Sequence, residues 1–427
     1  MPQNWKTYKL GDFAKNVSRR FDFKTHKVVV FVNTSDVLEG KFLTTTKQSS
    51  ENLPGQAKKA ICKGDLLFSE IRPNNKRFAL VDFDVSNYVV STKFMVIVTD
   101  DKIVDNKFFY HLIKSKERLE ELQMIAESRS GTFPQITFDA ISNIEFSLPP
   151  LPEQTAIASI LSALDDKIEL NLKQNKTLEE MAMALFKHWF VDFGPFKEGE
   201  FVESELGRIP EGWEVKKLGN IIEVVNGFAF KGVDFCEEGV SVLKIKNVKP
   251  GKILFENMAF VTEDKTIKAQ RAKIAFRDIL ITMTGNRMAG GMESWVGKVA
   301  MFPRTGDYYL NQRVSKIHLN SNNEFLRDYL SIMLSSEEFQ YYFIKNSTSS
   351  GGQANISPDL IKEIKLIHPP IDVLLNFQTI VKLYFDKRAL IDLENQTLIN
   401  QRDSLLPKLI SGEVRVKNIE PQINAIA

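Results

Sequence analysis

The chain has 427 residues, 43% of them apolar and 26% charged, with a formal net charge of +2. This composition fits a soluble globular protein of roughly two to three domains. It excludes wholesale polyanion binding while leaving room for local basic patches. MPQNWKTYKL has no apolar signal region and no apolar run reaches membrane-spanning length, so a cytoplasmic location without membrane contact is expected.

In chain order, residues 2–12 read as a turn and strand. Short β-type runs follow: KVVVFV (27–32), GDLLFS (64–69) and TKFMVIV (92–98). Apolar residues at helical spacing predict an amphipathic helix over 106–128. A small-residue loop (128–135) and one more strand lead into Pro149 and Pro150. Proline lacks an amide donor and biases its predecessor away from the helix, so the pair ends the strand and opens a new element.

That element carries the most regular pattern in the chain. Steps of four and three from Ile157 reach Leu161, Leu164, Ile168, Asn171, Asn175, Leu178, Ala182, Leu185 and Trp189, which is a coiled-coil seam. About forty such residues make a helix of roughly 60 Å.

The second part of the chain repeats this order. It has β-type runs VSVLKI (240–245), RDILIT (277–282) and GKVAMF (297–302), a helix over 323–346, and the pair Pro369 and Pro370. A second seam then runs through Phe377, Val381, Tyr384, Arg388, Ile391, Asn395, Leu398, Arg402, Leu405 and Leu409.

The similarity extends to single residues. Pro2, Trp5, Lys9, Leu10 and Gly11 recur 208 residues later as Pro210, Trp213, Lys217, Leu218 and Gly219. GDLLFS matches RDILIT at an offset of 213, and YVVSTKFMVIV (88–98) matches YYLNQRVSKIH (308–318) at 220. SGTFPQITFDAI (130–141) and SGGQANISPDLI (350–361) keep that value. Offsets that grow only within the first part of each half indicate loop insertions on a shared scaffold.

The expected fold is therefore α+β, with two similar globular units separated by two long helices that form an antiparallel coiled coil about an internal pseudo-two-fold. Asn171 and Asn175 would then face Ile391 and Asn395 across the seam, or else lie on a solvated edge. In the seam case, replacing Asn175 and Asn395 by leucine raises the melting temperature and loosens register.

Catalytic signatures are missing. The proline pairs follow Leu148 and His368 rather than Asn or Asp, and no P-loop or HExxH occurs. Gly290 and Gly291 lack a strand–loop–helix setting. Cys62 and Cys236 fall at non-equivalent points of the repeat, which speaks against a disulfide framework or a cysteine-rich zinc site. The five histidines (His26, His111, His188, His318, His368) show no metal-ligand spacing and read as structural.

PEGWEVKKLG after SELGRI, LFKHWFVDFGPF (185–196) and the twice-used Pro-Pro junction resemble the specificity subunit of type I restriction–modification systems. The resemblance spans nearly the whole chain. It implies target-recognition domains at 1–150 and 198–370, conserved helical regions at 151–197 and 371–415, and a tail at 416–427. Each domain would read half of an asymmetric bipartite site on double-stranded DNA. Two methyltransferase subunits, acting on adenine, would dock on the helices, and a motor–nuclease subunit would join. S-adenosylmethionine, ATP and Mg would then sit on the partners, leaving this chain without cofactor or catalysis. HPPIDVLLNFQ lacks the Pro-Glu-Gln of the first junction, and Arg388 and Arg402 interrupt the second seam, so the two partner sites need not be identical.

The divergent loops are the natural reading surfaces. After GDLLFS come Arg72, Asn74, Asn75, Lys76 and Arg77; the equivalent stretch of the second half holds Thr284, Asn286 and Arg287. Arginine suits guanine, asparagine adenine, and lysine phosphate. Lys47, Lys58, Lys59, Lys244 and Lys246 are further phosphate candidates. The small loops 128–135 and 347–355, the latter with Gln353, can offer backbone amides to a phosphate. Each of these also has an ordinary reading as a turn or a solvated face. Phe190 and Phe193, at the end of the first helix, are candidates for partner docking. The competing function is a coiled-coil structural or inhibitory adaptor that binds proteins without DNA.

Overall fold

The computed structural model describes residues 4–129, 132–286, 294–350 and 352–416. Two compact units emerge. One comprises Met1–Leu170 with Asn395–Ala427, the other Asn171–Glu394. Contact density thus cuts inside the two long helices, Leu151–Phe186 and Ile371–Ser411, whereas the repeat divides the chain at the proline pairs.

Each unit is α+β and contains a four-stranded sheet, a five-stranded sheet and a short two-stranded pair. In the first unit the four strands run in the order Phe78–Leu80, Leu66–Ser69, Phe94–Thr99, Ala14–Asn16. In the second the order is Val299–Met301, Ile279–Thr282, Val314–Leu319, Ile222–Asn226. The repeat is preserved in register. Lys6 opposite Leu148 recurs as Glu214 opposite His368. Leu66 opposite Ile97 recurs as Ile279 opposite Ile317. The parallel pair Val89–Phe31 becomes Tyr309–Val242, and Val89–Ala60 becomes Tyr309–Lys273. A slip by one residue would turn every side chain to the wrong face, so the shared registers mean shared cores.

The central strand shows why. Successive strand residues face opposite ways. Leu66 and Phe68 join one apolar cluster and Leu67 another; Ile279 and Ile281 join one cluster and Leu280 another. Both faces are covered, which explains the unbroken apolar runs.

The helices predicted after the strands are each broken in two. Asn106–Ile113 gives way to Lys116–Arg129, and Arg327–Ser335 to Glu337–Lys345. A serine starts the second piece each time. Ser115 Oγ accepts from the Arg118 amide at 3.4 Å and Ser336 Oγ from that of Phe339 at 3.3 Å. Continuous helical spacing hid these N-caps.

Within each unit the segments of the two long helices run antiparallel. In the first, Arg402 Nη1 donates to Asp165 Oδ1 at 2.9 Å, and just past the end of the second helix Arg415 Nη2 donates to Glu153 Oε2 at 2.7 Å. In the second, Asn171 Nδ2 donates to Glu394 at 2.8 Å, Asn175 Nδ2 to Asp392 at 2.6 Å, and Arg388 lies 3.6 Å from Glu179. All positions of both 4-3 series are buried or half-buried. Arg388 and Arg402 therefore do not interrupt the seam; they close it as ion pairs.

Asn171 and Asn175 are only 1% and 9% exposed, so they are seam residues rather than a solvated edge. Their hydrogen-bond partners are carboxylates, which corrects the expected effect of leucine at Asn175. Burial pushes the Asp392 carboxyl upward, opposed chiefly by Arg388. Removing its amide donor leaves a largely enclosed carboxylate with less support. Asn175→Leu is expected to destabilise the protein by about 1–3 kcal/mol, and adding Asp392→Leu to recover most of that loss, as read by urea denaturation.

Asp165 sits between Lys114 Nζ and Arg402 Nη1, both at 2.9 Å. Burial alone would raise its carboxyl, but the two cations outweigh it and hold the group below its ordinary value. Lys114 is itself pushed down by burial and by the neighbouring Arg402, against the pull of Asp165; the net gain of the cluster therefore rests on Asp165 and Arg402. A carboxyl lowered on folding contributes stability above its unfolded pKa and loses it as pH falls through the folded one. The wild type should thus lose stability on acidification below about pH 4. Asp165→Asn should be less stable at neutral pH, by less than the roughly 3–5 kcal/mol of fully buried pairs, and should show a flatter acid limb in pH-dependent melting.

Candidate nucleic-acid interface

Beyond Met283, the buried strand Ile279–Thr282 is followed by a second short strand, Thr284–Asn286. This strand pairs antiparallel with Gln353–Asn355, which pairs in turn with Thr348–Ser350. Gly285 lies opposite Ala354, and both are buried. By alternation, Thr284, Asn286, Gln353 and Asn355 share the other face. Space under the ribbon is tight. A Cβ on Gly285 would lie 2.4 Å from the Val296 nitrogen and 2.8 Å from Ser294 Oγ. Ser294 Oγ donates to the Asn286 carbonyl at 2.9 Å, and the Thr282 hydroxyl donates to that of Trp295.

Arg313, just before the strand Val314–Leu319, reaches over this face. Its Nη1 donates to Gln353 Oε1 at 2.7 Å and to Thr284 Oγ1 at 3.3 Å. Nearby, Lys249 Nζ stands 3.6 Å over the Trp295 ring, a cation–π contact. Burial and the Lys252 charge lower the Lys249 ammonium, and burial and Lys249 lower that of Lys298.

The first repeat pairs the same two segments in the same register. Ile71 bridges Gln135, matching Thr284 opposite Asn355. The Ile136 amide donates to the Glu70 carbonyl at 2.8 Å, as Ile356 does to Met283 at 2.9 Å. Here the ladder is short. It opens into a 3-10 turn, Pro73–Asn75, flanked by Arg72 at φ 44° and Lys76 at φ 55°. Gln135 Nε2 donates to Glu70 Oε2 at 3.0 Å.

Several sequence candidates therefore meet. In the first unit residues 70–71 pair with 135–136, and in the second 283–286 pair with 353–356. Arg72, Asn74 and Asn75 are exposed. Arg77 Nη1 donates to the Ser35 and Val37 carbonyls, both at 2.9 Å, and Lys76 pairs with Glu39. Lys47 is exposed on the strand Lys47–Ser49, and Lys58 and Lys246 are also exposed. Lys244 Nζ lies 3.6 Å over Phe235, its ammonium lowered by burial and by Lys246. Arg287 falls outside the described residues.

Two expectations are corrected. Lys59 is not a surface cation: it is 8% exposed and its Nζ donates to the Phe94 carbonyl at 2.6 Å. Phe190 is not an exposed aromatic: it is 3% exposed, with its ring 4.8 Å from those of Tyr329 and Phe377. Phe193 is half-buried, edge-on to Phe201 and Trp213. Sequence reading missed Arg313, Lys249 and Trp295. The usable signal was the matching spacing of the two loop pairs, which fits strand pairing between them.

A profile of the type I restriction modification DNA specificity domain matches residues 2–180 and 210–401. The chain belongs to this family. It is 34% identical over 473 residues to the type I restriction enzyme HindI specificity subunit of Haemophilus influenzae, covering 96% of this chain and 100% of that one. The MjaVIII specificity subunit of Methanocaldococcus jannaschii is 27% identical over 98% of this chain and 95% of its own. The S subunit of a type I restriction–modification system from M. genitalium superposes with a TM-score of 0.55 at 16% identity, over 95% of this chain and 96% of that one, a likeness of fold. The chain is thus the DNA-specificity component of such a system, with catalysis placed on other subunits. No helix among the described residues is long and apolar enough to cross a membrane.

The crowding under Gly285 gives a local test. Gly285→Ala should lift the ribbon and speed amide hydrogen exchange across 284–286 and 353–355, with exchange over 66–69 unchanged.

Proposed function

We propose that the two paired-loop ladders are the DNA-reading elements, one per repeat, and that they read unlike halves of an asymmetric bipartite site. The observation that carries this reading is their equivalence. Ile71–Gln135 and Thr284–Asn355 hold the same register, yet the side chains around them differ. A two-stranded antiparallel ribbon fits the major groove of B-DNA, and Thr284–Asn286 with Gln353–Asn355 form such a pair within a three-stranded sheet. The polar face Thr284, Asn286, Gln353, Asn355 carries side-chain donors and acceptors of the kind that read base edges. Exposed Arg72, Asn74 and Asn75 serve the first repeat, and Lys47, Lys76, Arg77, Lys244, Lys246 and Arg287 are further contacts to DNA in this reading.

The long helices supply partner docking. On the second unit's C-terminal helix segment, Leu383 and Leu390 are 65% and 64% exposed, seven residues apart on one face. A helix that already buries one apolar seam and still exposes a second stripe is suited to a partner. Two methyltransferase subunits, carrying S-adenosylmethionine and modifying adenine, fit this role, with a motor–nuclease subunit using ATP and Mg joining them. In this reading residues 1–150 and 198–370 recognise the target, while 151–197 and 371–415 hold partners in the cytoplasm.

The test is a genome-wide map of methylated adenines with and without this gene. One bipartite motif should vanish on deletion and return on complementation. Persistence of every motif would contradict the reading and favour a protein-binding adaptor.

A further inference from the structure

We infer that Arg313 is the guanine-reading residue of the second repeat, aimed by Thr284 and Gln353; this rests on the DNA-reading role proposed above. The arginines that pack within the second unit are mostly matched to carboxylates: Arg277 to Asp328, Arg327 to Glu324 and Arg388 to Glu179. Arg313 differs. Its guanidinium is held by two neutral acceptors, Gln353 Oε1 at 2.7 Å and Thr284 Oγ1 at 3.3 Å. Among the described residues no carboxylate forms an ion pair with it. Neutral acceptors orient a guanidinium without cancelling its charge, and both contacts use Nη1 alone. The remaining N–H groups of the planar fork stay available. Two parallel N–H donors match guanine O6 and N7, and pre-orientation reduces the side-chain entropy lost on contact.

The device belongs to one repeat only. The position equivalent to Arg313, 220 residues earlier, is Lys93, while Gln353 corresponds to Phe133 and Thr284 to Ile71. Neither Phe133 nor Ile71 has a side-chain acceptor, and lysine carries a point charge rather than a fork. A guanine contact of this kind is therefore specific to the second half-site, which gives the two repeats different chemistry on matching ladders.

The test compares methylated motifs in cells that carry the complete system with the wild-type chain, Arg313→Lys, Arg313→Gln and Gln353→Ala. Co-purification with partner subunits checks that each variant folds. The expected result is loss of discrimination at one guanine position in one half-site, roughly tenfold or more for both Arg313 variants. Gln353→Ala should give a smaller loss at the same position, and the other half-site should stay intact. Unchanged motifs, or a proportional fall in methylation with no change of motif, would show that Arg313 only staples the ribbon and would overturn the inference. So would a wild-type motif without guanine in either half. A wild-type chain that supports no bipartite motif would instead defeat the DNA-reading role itself. If Arg313→Gln fails to assemble, Arg313→Lys and Gln353→Ala still decide the matter.

Discussion

Everything in each repeat depends on one strand that is buried on both faces. Leu66, Leu67 and Phe68 are at most 1% exposed, and Ile279, Leu280 and Ile281 are completely buried. They alternate between two apolar clusters and leave no freedom of register. The ladder begins two residues after each strand, at Ile71 or Thr284, so its position is set by the core beneath it. Recognition chemistry can then vary at the ladder while the scaffold stays fixed, which is the division of labour a specificity protein needs.

The long helices follow a second constraint. Their seam is apolar except where Asn171, Asn175, Arg388, Asn395 and Arg402 enter it, and Asn171, Asn175, Arg388 and Arg402 each meet a carboxylate. Buried polar pairs of this kind contribute little net stability compared with apolar packing. They do penalise a shifted alignment, because a slip strands a charge. The seam thus gives up some stability for a defined antiparallel register.

Much of this was legible in the sequence. Offsets of 208, 213 and 220 were read from local matches, and the strand pairings reproduce all three. What stayed hidden were features with no local signature. Lys59 reads as a surface cation until the Phe94 carbonyl, 35 residues away, takes its ammonium. Phe190 reads as an exposed aromatic until Tyr329 and Phe377 enclose it. Arg313 gains its meaning from Thr284 and Gln353, 29 and 40 residues distant. Ser115 and Ser336 sit inside runs whose helical spacing continues past them, so a capped break left no trace in the pattern.

The central claim is that two matched scaffolds carry unlike reading chemistry. The most direct measurement is the methylated motif specified by a chimera in which residues 6–148 replace 214–368, with both junctions at positions that share a register in the two repeats. The account predicts a motif made of two copies of one half-site. A chimera that assembles and still methylates two unlike halves would contradict it.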